Sequence, residues 1–358
     1  MKKYIVLAAS AVLALAACSK VAPVTEPDQA ITFDVINYAN STKADQAGHL
    51  AFEGTDFGSY AWVTQTNWAT EGEGTYFWTP NNQQITKNNA GKWTTSTMYF
   101  WPKQAKLSFA SYAPYMATGA PTYTKANGWA MSNYTINNDA NVDLMFADLV
   151  TDLTGNVTTA EAREGDGGKH FADGVPTLFR HKLTRVSFKF ALAEDENAYE
   201  NISDVYIVVN SASIVNVKNT GSYAGDVWTP AAATAEYAFV TSNKELKTKG
   251  TFVDADANRI LLPQALVASA ANAPGQQLKI SYTIYTKYEG STEYLQEPIV
   301  DELYDLRGTA VTNWTPNMDV LYKVSIYPTE QNPIYFDPAV KAWDTPVAEQ
   351  ALDVNKSE

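Results

Sequence analysis

The chain has 358 residues and a formal net charge of -13, with 18% charged and 12% aromatic residues. A surface this acidic excludes nucleic-acid binding, which needs clustered Lys and Arg against phosphate. One cysteine excludes a disulfide framework and Cys-based zinc sites, and 21 tyrosines and 9 tryptophans among uncharged polar residues describe an extracellular β-protein.

In chain order, Lys2 and Lys3 precede an apolar run too short to span a bilayer, so residues 1–17 read as a secretory signal peptide. The ending Leu15-Ala16-Ala17-Cys18 resembles the lipobox of bacterial lipoproteins. That resemblance implies cleavage between Ala17 and Cys18 and acylation of the Cys18 sulfur. Each buried methylene of an acyl chain contributes about 0.8 kcal/mol, so two or more chains make a stable anchor. Loss of Lys2 and Lys3 moves the net charge from -13 to -15.

Strands announce themselves by alternation. In AITFDVINY, Ile31, Phe33 and Val35 share one face, which predicts a first strand over about 31–38. MYFWPKQAKLSFASYAPY, residues 98–115, reads as two strands about a turn at Pro102 to Ala105. Residues 142–150, VDLMFADLV, fit a helical turn or a short strand. Residues 154–174 are rich in Gly, Asp and Thr without apolar periodicity, and read as a linker or a long loop. Patterned sequence resumes with VPTLFRHKLTRVSFKFAL, where Val186, Phe188 and Phe190 share a face. DVYIVVN, ILLPQAL, LKISYTIYTKY and VLYKVSIYP follow at short intervals. No segment carries a long amphipathic helix. Short, regularly spaced strands with polar turns predict an all-β fold of sandwiches, and the length predicts two domains. Their boundary falls near Phe179 to Lys182, giving 18–180 and 181–358.

Motifs that could carry chemistry fail on inspection. His49, His170 and His181 lack metal-binding spacing and read as structural. GDGGKH at 165–170 has Arg163 and His170 where a P-loop needs Gly and Ser or Thr. Asp254, Asp256 and Asn258 open like a calcium loop, but Arg259 and Ala265 replace its Gly and Glu, so a turn between strands is expected. The tryptophans read first as core, while exposed ones would stack on sugars. No catalytic, cofactor-binding or metal-binding residue is predicted, and the chain reads as no enzyme.

Several blocks together carry a family resemblance. These are Cys18, ITFDVINY, Ser41-Thr42-Lys43-Ala44, YFWPKQAKLSFASYAPY, DLMFA, LFRHKLTRVSFKF, LLPQ, LYKVSIYP and IYFDPAVKAW, in that order. The chain resembles the fimbrillin family, specifically the Mfa-like pilins of type V pili. The resemblance implies two tandem transthyretin-like (Greek-key) β-sandwich domains and export as a lipoprotein to the outer membrane. It also implies removal of the first strand by a trypsin-like protease.

A sandwich that loses a strand exposes an apolar groove, which a neighbour's strand can fill. About five apolar side chains at ~1.5–3 kcal/mol each would supply on the order of 10 kcal/mol. Relatives carry Thr-Arg-Ala after the first strand; this chain has Thr42-Lys43-Ala44, so processing is expected between Lys43 and Ala44. The candidate donor lies in 334–358, where Ile334 and Phe336 alternate, as do Leu352 and Val354, with Pro338 and Pro346 breaking the run. The expected partners are other pilin subunits, the outer membrane through the lipid, and a receptor or glycan on host or bacterial cells. The competing reading is an outer-membrane lipoprotein that binds glycans through exposed aromatics, tryptophans above all.

Overall fold

A computed structural model describes residues 30–37, 54–71, 73–102, 105–136, 141–154, 174–194, 201–271, 273–308, 310–328 and 334–343. The first half carries β1 (Phe33–Asn37), β2 (Asp56–Thr64), the one-turn helix α1 (Trp68–Glu71), β3 (Thr75–Tyr76), β4 (Gln83–Lys87) and β5 (Trp93–Thr95). It continues through β6 (Lys106–Ala113), β7 (Thr122–Thr124), β8 (Gly128–Thr135), β9 (Met145–Ala147), β10 (Val150–Leu153) and β11 (Val175–His181). Lys182 and Leu183 alone separate β11 from β12 (Thr184–Leu192), which opens the second half. There follow β13 (Ile202–Lys218), β14 (Thr220–Ala224), β15 (Val227–Pro230), β16 (Thr234–Val240), β17 (Lys244–Leu246) and β18 (Val253–Asp254). The last are β19 (Arg259–Leu261), β20 (Gln264–Ala265), β21 (Gln277–Tyr288), β22 (Leu295–Asp305), β23 (Asn313–Trp314), β24 (Met318–Ile326) and β25 (Ile334–Ala342). The all-β expectation holds.

In the first half the strand order is β10-β6-β9-β11-β1-β5-β4-β2-β3, and β6 also pairs with β2. That extra pairing closes β6, β9, β11, β1, β5, β4 and β2 into a ring around one core. Phe57 and Ala61 of β2 point into it, with Leu107 and Phe109 of β6. The alternate residues Tyr60, Trp62, Ala110 and Tyr112 face outward and are buried all the same. A strand buried on both faces carries no polar alternation, as in β6, where seven of eight residues are buried.

In the second half two sheets pack face to face. One has the order β18-β12-β24-β25 with β19 also on β12; the other has β16-β13-β21-β22 with β17 also on β13. Phe188 of β12 meets Phe239 of β16 edge-to-face at 4.7 Å and stacks on Tyr322 of β24 at 5.1 Å. The alternation read in LKISYTIYTKY is realised: Leu278, Ile280, Tyr282 and Ile284 are buried.

A third layer crosses between the halves. Hairpin β7–β8 and hairpin β14–β15 join into one sheet, β15-β14-β8-β7, with Tyr223 opposite Met131. It covers the outward rings of β2 and β6. A run of aromatic contacts follows: Trp129 on Phe146 at 4.8 Å, Phe146 on Tyr223 at 5.1 Å, and Tyr223 on Trp228 at 5.3 Å. The halves thus share a continuous hydrophobic core, which nothing in the strand pattern foretold.

Two local expectations need correcting. Residues 98–101 do not form a hairpin with β6; they lie beside the entrance of β1, where Phe100 bridges Ala30 and the Ile31 amide donates to Tyr99 O at 2.8 Å. Pro338 does not break the last run, because β25 continues through it opposite Tyr322. β25 is an edge strand, where the ladder can spare one N–H. The 142–150 segment resolves as the strand β9. The 155–173 stretch, with GDGGKH and His170, lies outside the described residues, as does His49.

β1 runs parallel to β11, Phe33 opposite Val175 through Asn37 opposite Phe179. Just before β11 sits Gly174, at φ +102, where an added Cβ would lie 2.6 Å from the Phe33 carbonyl carbon. Only glycine lets the two backbones approach there.

Two outcomes are expected. Trp129→Ala should cost about 3–5 kcal/mol and lower one calorimetric transition shared by both halves; two separate transitions would contradict the common core. Gly174→Ala combines a strained φ with a backbone clash, costs of about 1–3 kcal/mol each. Hydrogen exchange should then quicken at the Ile31 and Val175 amides while Phe188 and Tyr322 stay protected.

Candidate strand-exchange site

The first strand predicted over 31–38 is β1, Phe33–Asn37, held in the middle of a sheet. Ile31 and Phe33 are only 1% and 2% exposed, and Val35 is partly buried against the same core. Phe33 meets Phe57 at 5.4 Å and Phe109 at 5.7 Å, both edge-to-face, with Trp78 at 6.2 Å. The Thr94 hydroxyl donates to Ile31 O at 3.0 Å, and the Val175 amide to Thr32 O at 2.7 Å.

Magnitudes decide how much rests on this strand. Burying Ile31 and Phe33 contributes roughly 3–6 kcal/mol, and each ladder hydrogen bond about 0.5–1.5 kcal/mol. A whole domain has a margin of only about 5–15 kcal/mol. Without β1 the ring opens between β11 and β5, and its lining of Phe57, Trp78, Trp93, Phe109, Val175 and Phe179 meets water. Such a slot is an acceptor for another apolar strand.

The second half repeats this arrangement. β12 pairs in parallel with β24 from Thr184 to Leu192, and antiparallel with β18 and β19 on its other side. β1 likewise has a parallel neighbour, β11, and an antiparallel one, β5. β12 is tied covalently into the chain by β11, whereas β1 precedes everything else in its ring.

The other predicted site residues divide. Ala17, Cys18, Lys43 and Ala44 lie outside the described residues, Lys43 and Ala44 within the link from β1 to β2. Leu352 and Val354 lie outside them as well. Ile334 and Phe336 belong to β25, opposite Ile326 and Val324, and Phe336 packs on Tyr304 and Tyr322. These two side chains therefore complete their own sheet. Trp343 follows, lying flat on His181 at 4.1 Å and 5.0 Å from the Arg185 guanidinium. His181 Nδ1 also pairs with Asp143. This places His181 in a structural contact at the junction, and the residues after Trp343 leave from there.

The remaining candidates are absorbed by the fold. All nine tryptophans are buried, the most exposed being Trp343 at 9%, so none offers a face to a sugar and that form of glycan binding is excluded. The Asp256 carboxylate accepts from the Thr241 and Ser242 amides at 2.8 and 2.9 Å and pairs with Lys244, holding its pKa far below the usual range. Asp254 pairs with Lys189. The suspected calcium loop is thus a turn. Among the described residues, no group of three or more His, Cys, Asp or Glu is arranged to hold a metal. Sequence reasoning missed Gly174 and the segment Tyr99–Phe100. Only an Asp-Gly pair ahead of a strand hinted at the first, and nothing at the second.

Comparison with known proteins follows from this geometry. A fimbrillin-like family profile matches residues 42–343. No curated protein matches the chain. Among solved structures, a candidate cell adhesion protein from Bacteroides uniformis is similar at 15% identity and TM-score 0.44, covering 88% of this chain and 98% of that one. A candidate cell adhesion protein from Parabacteroides distasonis matches at 9% identity and TM-score 0.44, covering 88% and 100%. A fimbrial protein from Bacteroides ovatus matches at 13% identity and TM-score 0.33, covering 78% and 48%. Likeness at these scores carries nothing further. The profile match spans most of the sequence: the chain belongs to the fimbrillin-like family, and is thereby a structural, pilin-like protein rather than an enzyme.

Proposed function

We propose that this chain is a type V pilus subunit, exported as a Cys18-acylated lipoprotein to the outer membrane and polymerised by donor-strand exchange. The observation that carries the reading is β1, an inner member of a closed ring supplied by the first described segment of the chain. Cleavage between Lys43 and Ala44 would sever β1 from β2 and release the lipid with it. Lys43 is the only Lys or Arg between Val21 and Thr86, so a trypsin-like protease has one target there. The family profile match begins at residue 42 and leaves β1 outside.

The halves are read as two tandem transthyretin-like sandwiches, 18–180 and 181–358, with β1 and β12 in equivalent places. Since Ile334 and Phe336 are occupied in β25, donation falls to residues 344–358, with Leu352 and Val354 as the apolar pair. Those 15 residues span up to about 50 Å when extended, ample for a slot now filled by five residues of β1. The neighbouring subunits are thereby the principal partners, and the assembled fimbrium is the site of adhesion.

Limited cleavage with a lysine-specific protease should give a new N-terminus at Ala44. The cut protein should build a detergent-resistant, heat-labile ladder, and Lys43→Ala should remain monomeric. Assembled material that still carries acylated Cys18 would refute the scheme. Removal of residues 344–358 should leave cleavage intact and abolish the ladder.

A further inference from the structure

The slot that β1 fills holds one unmet demand. Trp78 lines it at 2% exposure, its ring centre 6.2 Å from that of Phe33 and 6.0 Å from that of Tyr99. Its Nε1–H is buried with no hydrogen-bond partner among the described residues, and an indole can only donate. β1 turns Ile31, Phe33 and Val35 toward this core, and none of them carries a side-chain acceptor.

The chain holds a second segment built like β1. Phe33-Asp34-Val35 recurs near its end as Leu352-Asp353-Val354, two apolar residues about an aspartate. Laid over β1 in the same direction, Leu352 takes the place of Phe33, Val354 that of Val35, and Asp353 that of the half-buried Asp34. Gln350 then falls on Ile31 and Lys356 on Asn37.

Charge and size favour this placement over its neighbours. Run backwards about Asp353, the segment puts Lys356 where Ile31 is 1% exposed, and a buried unpaired ammonium costs far more than a buried amide. Slid two residues so that Val354 meets the Phe33 site, it brings Lys356 to the Val35 site. Slid the other way, it brings Gln350 to the Phe33 site, among Phe57 and Phe109. A slip of one residue turns the apolar pair to the outer face. The first placement keeps both apolar side chains inward, sets the larger one in the larger site, and leaves the lysine at the far end. Its one polar intrusion is Gln350, and there the slot has an answer. The Ile31 amide donates to Tyr99 O at 2.8 Å, and the Tyr99 ring lies against Trp78. A glutamine in the place of Ile31 therefore brings an acceptor beside the unpaired indole.

We infer that the last segment of a second copy enters the slot parallel to β11, with Leu352 opposite Val175, Val354 opposite Thr177, and the Gln350 side-chain carbonyl accepting from Trp78 Nε1. The inference rests on the strand-exchange reading and adds to it a direction, a register and a polar contact that β1 does not make.

Engineered disulfides test it in the full chain cut before Ala44. That cut removes the chain's one cysteine, so introduced thiols report alone. Asp34 stands opposite Pro176 and Ile36 opposite Leu178. Under mild oxidation, Asp353→Cys with Pro176→Cys, and Asn355→Cys with Leu178→Cys, should each convert the heat-labile ladder into one that survives boiling until reductant is added. Ala351→Cys with Leu178→Cys reports reversed entry and should not cross-link. The two Leu178 pairs share one acceptor variant, so they decide direction even if Pro176→Cys fails to fold. Gln350→Met keeps the side chain's length without its amide, and should lower the temperature at which the ladder dissociates. That loss should vanish in a Trp78→Phe background, where the donor is gone. A ladder in which the Ala351 pair closes, in which neither Leu178 pair closes, or in which Gln350→Met costs the same in both backgrounds overturns the inference and leaves strand exchange standing. Absence of any ladder overturns both.

Discussion

The packing of Phe33 into the ring of β2, β6 and β11 is the constraint on which the first half depends. A ring without an edge has no weak side, and it stays closed only while every member is present. β1 is held unevenly. It pairs with β11 along its whole length but meets β5 at Phe33 opposite Trp93 alone. Parallel pairing is also slightly less stable per residue than antiparallel pairing. The strand is therefore necessary for the core and weakly tied to one of its flanks.

The second half shows what the same position looks like when it is permanent. β12 is longer than β1, pairs with β24 from Thr184 to Leu192, and is flanked on its far side by both β18 and β19. Its connection to β11 through Lys182 and Leu183 makes release impossible without breaking the chain. The two strands thus differ in length, flanking pairs and covalent context more than in the apolar residues they bury: Val and Phe serve both.

Much of this was legible in sequence because burial on one face leaves a period of two. Ile31, Phe33 and Val35 announced β1, and Leu278 to Ile284 announced β21. What stayed hidden was of two kinds. Strands buried on both faces, such as β6, lose the alternation, so nothing in the pattern told that Tyr112 packs against the bridging sheet. Contacts between distant segments leave no local trace: the pairing of β8 with β14, the approach of Gly174 to Phe33, and the meeting of Lys182 with Asp226 depend on topology alone. The tryptophans, read first as core, are all buried, which removes the competing reading in which exposed ones stack on sugars.

The bridging sheet sets how a load would pass through the molecule. Were the chain held at β1 at one end and beyond β25 at the other, as the proposed strand exchange requires, tension would pass between its halves. A two-residue linker by itself would act as a hinge. Here β8 and β14 are hydrogen-bonded side by side, and the ring series Trp129, Phe146, Tyr223 and Trp228 packs across the gap. Trp343 adds a clasp by lying on His181 from the first half and beside Arg185 from the second. Because Trp343 sits in that clasp, force drawn through the chain at Trp343 would reach the junction first. There it would be resisted by ladder bonds and aromatic packing together, and under the proposed strand exchange the strain would pass to the exchanged strand.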